Sequence, residues 1–337
     1  MKSITTLCML LLAVSMMAFP VTSYDFQLPW LQVSPVTAGI GGLNLSLTGD
    51  PGILYSNPAM LAHSGTSVVS LGMKLQDRDQ IDVVEMFNAA NVLRKNQIVS
   101  LHMAAEGGGF GIRSLAAIDE NRTWTDGEGN NLREHEDYRL TAYQIAMAQT
   151  EGRLTYGLGF KYLNGRLVYL REQQQSGGWL TEDFVDDRLH GLSFDFSLTL
   201  KYGAFVWGFT AWDIYSHLWW MNNSNRAITR RLGSTVGWQS GNTALITGAQ
   251  RKWGCASDQT YHIGVQQAIP MGGNPEQPTG FLLRGGAYSH DFDHEETTWT
   301  SLGVSYYIKA FRVDTSMATH DLALNKTRFL LTVSMGM

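Results

Sequence analysis

The sequence predicts an all-β fold: a transmembrane antiparallel β-barrel of about 14 strands. Three observations lead there. Polar and apolar residues alternate with a period of two through most of the chain beyond residue 64. Many of the alternating runs are near the roughly 9–11 residues that cross a bilayer on a tilt, against about 5–6 in a soluble sheet. The links between runs are short and long in turn, as in barrels with short turns on one side of a membrane and longer loops on the other.

Composition agrees. The chain has 337 residues, of which 44% are apolar and 16% charged; soluble domains carry about 25% charge. A net charge of −5 gives no reason to expect a nucleic-acid partner. Residues 1–23, MKSITTLCMLLLAVSMMAFPVTS, combine Lys2, an apolar stretch from Leu7 to Ala18, and small Val21 and Ser23 before a cleavage point. They are expected to be a signal peptide that leaves the mature chain. No other run approaches the roughly 18 apolar residues of a spanning helix. An exported chain without such a helix is either a soluble β-protein or an outer-membrane barrel; run length and link pattern favour the barrel. Cys8 falls in the signal peptide and Cys255 is the one cysteine left. An intrachain disulfide and a cysteine metal cluster are therefore excluded, and no metal or cofactor is expected.

The strands follow in order. Runs at 66–76 and 97–105 flank a long link, 77–96. Runs at 109–118, 137–149, 153–165 and 189–201 come next. The clearest is LSFDFSLTLKY: Leu192, Phe194, Phe196, Leu198, Leu200 and Tyr202 share one face, and Ser193, Asp195, Ser197, Thr199 and Lys201 the other. Runs at 204–214, 230–239, 242–251 and 259–269 precede four more at 279–290, 297–308, 311–319 and 327–337. Tight links are expected at Glu106–Gly108, Thr150–Gly152, Tyr202–Gly203, Ser240–Gly241 and Lys309–Ala310. Long ones are expected at 77–96, 119–136, 166–188, 215–229, 252–258, 291–296 and 320–326. Link 270–278 is long where a short turn is due. An even strand count returns the C-terminus to the side of the N-terminus, the periplasm.

Several groups of residues bear on function. Lys74, His102, Arg113, Lys161, Asp195, Lys201, Arg231, Arg284, Arg312 and Asp314 fall opposite the apolar rows and should line the lumen, pairing across it or forming a polar wall for a ligand. Trp207, Trp212, Tyr215, Trp219 and Trp220 crowd one long link and read as an interfacial girdle. Link 77–96 holds a candidate helix capped by Asp79, with Val83, Met86, Phe87, Ala90 and Leu93 on one stripe. That stripe packs the helix on the rim or, with Val83, Met86 and Phe87, forms one wall of a ligand groove. His290, Asp291, Asp293, His294, Glu295 and Glu296 share an outer loop but match no metal-binding spacing. No hydrolase motif occurs, so the protein is expected not to be an enzyme.

Residues 38–62, AGIGGLNLSLTGDPGILYSNPAMLA, carry a resemblance. A Gly-rich segment (Gly39, Gly41, Gly42), a short apolar stretch, Asp50, then Tyr55 and Asn57-Pro58-Ala59 resemble the N-terminal signature of FadL-type long-chain fatty-acid transporters and the related PorV/PorQ outer-membrane proteins. Where that family usually has Gly after Asn-Pro-Ala, this chain has Met60, then Leu61. The resemblance implies that residues 24–64 form a hatch inside the lumen and 65–337 the barrel. Asp50, Tyr55, Asn57, Pro58 and Ala59 would belong to the hatch; apart from the resemblance, Ile53, Leu54 and Tyr55 are apolar enough to anchor the segment against the lumen or against a hydrophobic small-molecule ligand. FadL-type proteins pass apolar ligands inward and out through a side opening in the wall. PorV-like relatives instead serve a secretion machine and bind protein partners. The implied setting is the bacterial outer membrane, in contact with its lipid, as a monomer.

Overall fold

The inverted alternation of the sequence sets the architecture. Lipid offers backbone groups no hydrogen-bond partner, so a sheet that crosses it must close on itself. The structure, a computed structural model, describes residues 34–74, 98–175, 178–222, 227–253, 259–271, 279–289, 298–320 and 327–337. All fourteen expected strands are present: β1 (Val68–Lys74), β2 (Ile98–Ala105), β3 (Gly108–Thr125), β4 (Asn131–Glu151), β5 (Leu154–Gln175), β6 (Gly178–Tyr202), β7 (Phe205–Trp220), β8 (Arg231–Ser240), β9 (Thr243–Lys252), β10 (Gln259–Pro270), β11 (Thr279–Ser289), β12 (Thr298–Ile308), β13 (Phe311–Thr319) and β14 (Arg328–Gly336). Each pairs antiparallel with the next, and β1 closes on β14 from Val68↔Gly336 to Lys74↔Leu330.

Burial follows the period of two with its sign reversed from a soluble protein. On β6, Ser193, Asp195, Ser197 and Thr199 are buried, whereas Leu192, Phe194, Phe196 and Leu198 are half-exposed and Leu200 is exposed. Leu101, Met103, Ile145, Met147, Ile263, Leu302 and Val304 join the exposed apolar belt. In water such a surface would drive aggregation; in a bilayer it is the solvated face.

The short links lie at one end. Gly152 (φ 64) and Gly241 (φ 55) supply the left-handed backbone that two-residue hairpins need, and Lys309 (φ 53) does so between β12 and β13. This turn end is the periplasmic end of outer-membrane barrels.

The opposite end differs from expectation. Links 119–136, 166–188 and 215–229 read as loops, yet β3 to β7 continue through much of them and form tall hairpins. Apolar alternation fades there, but cross-strand charge pairs replace it: Arg166–Asp186 at 2.6 Å, Arg171–Glu182 at 3.1 Å, and Arg133 with Glu172. Opposite charges facing each other across strands stabilise pairing, and Asp126 closes the β3–β4 tip by accepting from the Glu128 and Asn130 amides. Two of the girdle tryptophans also differ. Trp212 and Trp220 are buried in the lumen; Trp207, Tyr215 and Trp219 face outward. Their parity along β7 explains the split, since Gly208 and Thr210, also even-numbered, face inward with them.

Residues 34–63 fill the lumen as a hatch. They form helix α1 (Pro35–Gly39), the single turn α2 (Ile53–Ser56) and a 3-10 turn (Pro58–His63). Ser34 caps α1 by accepting from the Val36 amide at 3.2 Å, with Pro35 in the first turn where no amide is needed. The wall receives the hatch backbone at glycines. A Cβ on Gly208 would stand 2.0 Å from the Leu45 carbonyl oxygen, and one on Gly264 would stand 2.0 Å from that of Ile40. Only a residue without a side chain permits this approach.

Replacing Gly264 with Val should therefore unseat the hatch and leave the barrel. Overpacking of this kind costs about 1–3 kcal/mol. The expected result is a heat-modifiable band on gels as in wild type, with cleavage within residues 34–63 by added protease roughly tenfold faster.

Candidate functional site

The lumen and its hatch carry the chemistry. Asn57 is fully buried and pins the hatch at its centre. Its Nδ2 donates to the Leu45 carbonyl at 2.5 Å and to Thr199 Oγ1 at 3.2 Å. Its Oδ1 accepts from the Ala59 amide at 3.1 Å and so caps the 3-10 turn. Pro58 opens that turn, where its missing N–H costs nothing. The Ala59 amide also donates to Ser197 Oγ at 2.8 Å. The packing here is as close as at the other wall glycines: a Cβ on Gly157 would meet the Ala59 nitrogen at 2.3 Å.

Asp50 organises the turn before α2. Its carboxylate accepts from the Ser34 hydroxyl, from Thr37 Oγ1 at 2.5 Å and from the Gly52 amide at 2.7 Å. Wall side chains then satisfy the carbonyls of α2: Gln144 Nε2 donates to Leu54 at 3.0 Å and Trp212 Nε1 to Tyr55 at 3.3 Å. Ile53, Leu54, Met60 and Leu61 pack with Val99, Ala104 and Ala146 of the wall.

Tyr55 sits on the β2–β3 seam. Burial pushes its phenol up from the usual pKa, against the opposing pull of Arg113, so the hydroxyl stays a donor. It points at the Ile112 carbonyl at 3.0 Å and the Leu101 carbonyl at 3.3 Å, two residues paired across that seam. The Arg113 guanidinium lies 5.0 Å from the ring centroid. The β2–β3 ladder ends at Ser100↔Arg113, although β3 runs on, and β3 bulges against β4 at Leu115.

Above the hatch, a charged layer runs along the wall formed by β5 to β8. Lys161 Nζ lies 2.7 Å from Asp195 and 2.5 Å from Asp213, all three buried. Ser193 Oγ donates to Asp213 at 2.7 Å and the Asp213 amide to Asp195 at 2.8 Å. Arg231 stands 3.6 Å from Asp213. By parity Asp213 would face lipid. A bulge turns it in: β6 pairs Phe194 with Tyr215 and Phe196 with Ala211, which leaves three β7 residues opposite Asp195. Asp213 accordingly takes a left-handed backbone, φ 55. Beyond this layer, toward the outer end, lies an apolar cluster of Leu115, Tyr138, Leu140, Leu163, Leu189 and Leu218.

A second charge cluster stands on the other wall. Arg284 donates to Gln266 at 2.7 Å and Ser305 at 2.5 Å, and Asp314 accepts from Arg312 at 2.6 Å. Arg312 Nη1 also donates to the hatch at the Gly49 carbonyl, 2.6 Å away. His102 bonds the Pro51 carbonyl and His262 Nδ1 the Gly41 carbonyl at 2.6 Å.

The structure thus brings Asp50, Ile53, Leu54, Tyr55, Asn57, Pro58 and Ala59 into one buried segment. Of the expected lumen charges, His102, Arg113, Lys161, Asp195, Arg284 and Asp314 are buried, Lys74, Arg231 and Arg312 half-buried, and Lys201 exposed at the turn end. Val83, Met86 and Phe87 lie outside the described residues, as do Cys255 and the His290–Glu296 loop. Sequence reasoning missed Asp213, Gln144 and Trp212. The parity of β4 and β7 marks the last two as inward-facing; nothing in the pattern marks Asp213.

The architecture is a closed fourteen-stranded barrel plugged by its own N-terminal segment. Solved structures share it over more than nine-tenths of the chain. The CymD monoaromatic hydrocarbon channel matches at TM-score 0.55 and 14% identity, over 91% of this chain and 98% of its own. The P. putida toluene transporter TodX matches at 0.57 and 11%, over 92% and 99%. A Pseudomonas aeruginosa FadL homologue matches at 0.53 and 10%, over 93% and 99%. At these identities the likeness is one of fold. No family model matches the chain, and no curated protein matches it significantly by sequence.

The Lys161 layer can be tested for its weight. Lys161→Met leaves Asp195 without its cation and Asp213 with Arg231 alone, at 3.6 Å, and breaking a buried pair costs about 3–5 kcal/mol. Urea unfolding in lipid vesicles should show that loss, and adding Asp213→Asn to the Lys161→Met chain should restore part of it.

Proposed function

We propose that the protein is a bacterial outer-membrane channel for passive movement of hydrophobic small molecules, of the long-chain fatty-acid type. One observation carries this reading: a hatch of the chain's own residues is bonded across the lumen beneath an apolar cluster, and its Tyr55 covers the end of the β2–β3 ladder. Ligand collects among the outer apolar residues, loosens the hatch near Ile53 and Leu54, and leaves sideways at the seam that Tyr55 guards. Asp50, Asn57, Pro58 and Ala59 hold the hatch in register. Val83, Met86 and Phe87 of link 77–96 are assigned to the outer wall of the capture groove. No bond is made or broken, so no cofactor is needed; driving force comes from apolar area removed from water, at roughly 25 cal/mol per Å². The fold shared with the toluene transporter and the FadL homologue supports a channel for apolar compounds.

Liposomes holding the protein should take up a labelled long-chain fatty acid faster than empty ones; equal rates would sink the transport reading. Recovery of a stable protein complex from mild detergent extracts, together with no uptake, would favour a secretion partner instead. Joint replacement of Asn57 and Pro58 by Ala removes bonds worth about 1 kcal/mol each. Uptake should then rise roughly five- to thirtyfold with heat-modifiable migration unchanged.

A further inference from the structure

Beneath the hatch, at the turn end of the barrel, lies a cavity of about 510 Å³. Its walls join the hatch mainly to the β11–β14 side of the barrel, with Val68 of β1 and Ala104 of β2 at one edge. Ile53 and Met60 line it from the hatch, Leu282 and Tyr307 from β11 and β12, and Lys309 and Arg312 from the β12–β13 hairpin. The volume lies in the range of small-molecule sites, about 300–1,000 Å³. The lining is apolar on one side and cationic on the other. Arg312 is fixed in place by Asp314 and by the Gly49 carbonyl. The one carboxylate side chain in the lining, Asp50, keeps its charge but is set against Arg284, and Asp314 against Arg312, which leaves Lys309 as the added cation at the mouth. A pocket of this size, with an apolar floor and the Lys309 ammonium at its rim, fits a molecule with a hydrocarbon body and a negative end.

We propose that this cavity is a second binding site, on the periplasmic side of the hatch, for single-chain amphiphiles that carry a carboxylate. It rests on the reading that hydrophobic molecules use this lumen, and adds a station on the inner side of the plug that an exit at the seam alone does not require. The hydrocarbon chain lies between Ile53, Met60, Leu282 and Tyr307. The carboxylate lies toward Lys309, at the mouth.

Gly336 gives a clean test, because it lines the cavity and a Cβ there would meet nothing nearer than 3.6 Å. Gly336→Trp therefore places its Cβ without a clash, and its indole takes up cavity volume. The mature chain, purified into amphipol, is irradiated with a diazirine-bearing dodecanoic acid, and labelled residues are mapped by mass spectrometry. Wild type should label at Met60, Tyr307 or Met337, and Gly336→Trp should lose roughly tenfold or more of that signal. Leu282→Trp, made from the opposite wall, should do the same; each variant is checked for heat-modifiable migration. The matching diazirine-bearing alcohol should label these residues up to roughly fivefold less than the acid, the weight of one exposed ion pair, and Lys309→Gln should remove the difference. Absence of label at all three residues, or label unchanged in both tryptophan variants, overturns the site. Equal labelling by acid and alcohol overturns its preference for carboxylates. Uptake in liposomes with no cavity label counts against this site alone; cavity label without uptake supports the site and counts against the transport reading.

Discussion

A barrel of fourteen strands encloses more space than its own side chains can fill. Eight strands are about the number whose interior side chains meet at the axis. Here the excess is taken up by residues 34–63, and most other features of the molecule follow. The outward faces belong to lipid, so the lumen inherits the polar half of every strand. Whatever fills it must satisfy hydroxyls, amides and charges rather than merely occupy volume. An apolar plug would leave Thr199, Ser197, Gln144 and His262 without the hatch groups they now bond. A largely irregular segment suits the task because its backbone groups are free to bond the wall. The inward-facing glycines Gly208 and Gly264 let that backbone come close enough to do so.

Charge is distributed to the same end. Placing Lys161, Asp195 and Asp213 on the lipid side would cost several kcal/mol each; in the lumen they neutralise one another. Lys161 bridges two carboxylates, and the bulge that turns Asp213 inward also brings its amide onto Asp195. On the far wall, Arg312 bonds both Asp314 and the Gly49 carbonyl, so one guanidinium ties the barrel to the hatch. Each cluster adjoins a wall contact to the hatch. Trp212, next to Asp213 on β7, holds the Tyr55 carbonyl; Arg312 holds Gly49. The segment from Gly49 to Tyr55 is therefore gripped at both ends.

Most of the barrel was legible because its code is a period of two. All fourteen strands stand where the alternation puts them, and the tight turns fall at the expected links, four of the five containing Gly and the fifth turning at Lys309. Parity also held the answer for Trp212 and Trp220: their even positions share a face with Gly208 and Thr210, and grouping them by proximity to one link hid it. The tall outer hairpins were illegible for a different reason. Above the membrane neither face needs to be apolar, so the alternation that marks a strand disappears while cross-strand pairs such as Arg166–Asp186 keep the ladder going. The inward turn of Asp213 was illegible in principle. It depends on a bulge whose register is set by β6, and no local pattern in β7 encodes it. In the hatch, the resemblance over residues 38–62 pointed to the segment, but its partners come from strands 46 to 263 residues away.

The same segment meets two distinct surroundings, and its bonds are not equally strong. Asn57 and Ala59 are held to β6 by fully buried bonds to Thr199 at 3.2 Å and Ser197 at 2.8 Å, and Asn57 also to the hatch's own Leu45, inside a glycine gap that fits the backbone closely. Tyr55 reaches the seam through one hydroxyl shared between two carbonyls at 3.0 and 3.3 Å. A single hydroxyl donates one proton, so those two contacts count as about one bond. The Ile112 and Leu101 carbonyls already sit in the β2–β3 sheet, so losing Tyr55 leaves each with less to lose than Asn57 would. A ring swinging off the seam thus breaks less than a hatch leaving the lumen. Local movement about the Asn57 anchor is the cheaper way to open this barrel, and Asn57-Pro58-Ala59 is the part of the hatch best placed to stay still while it happens.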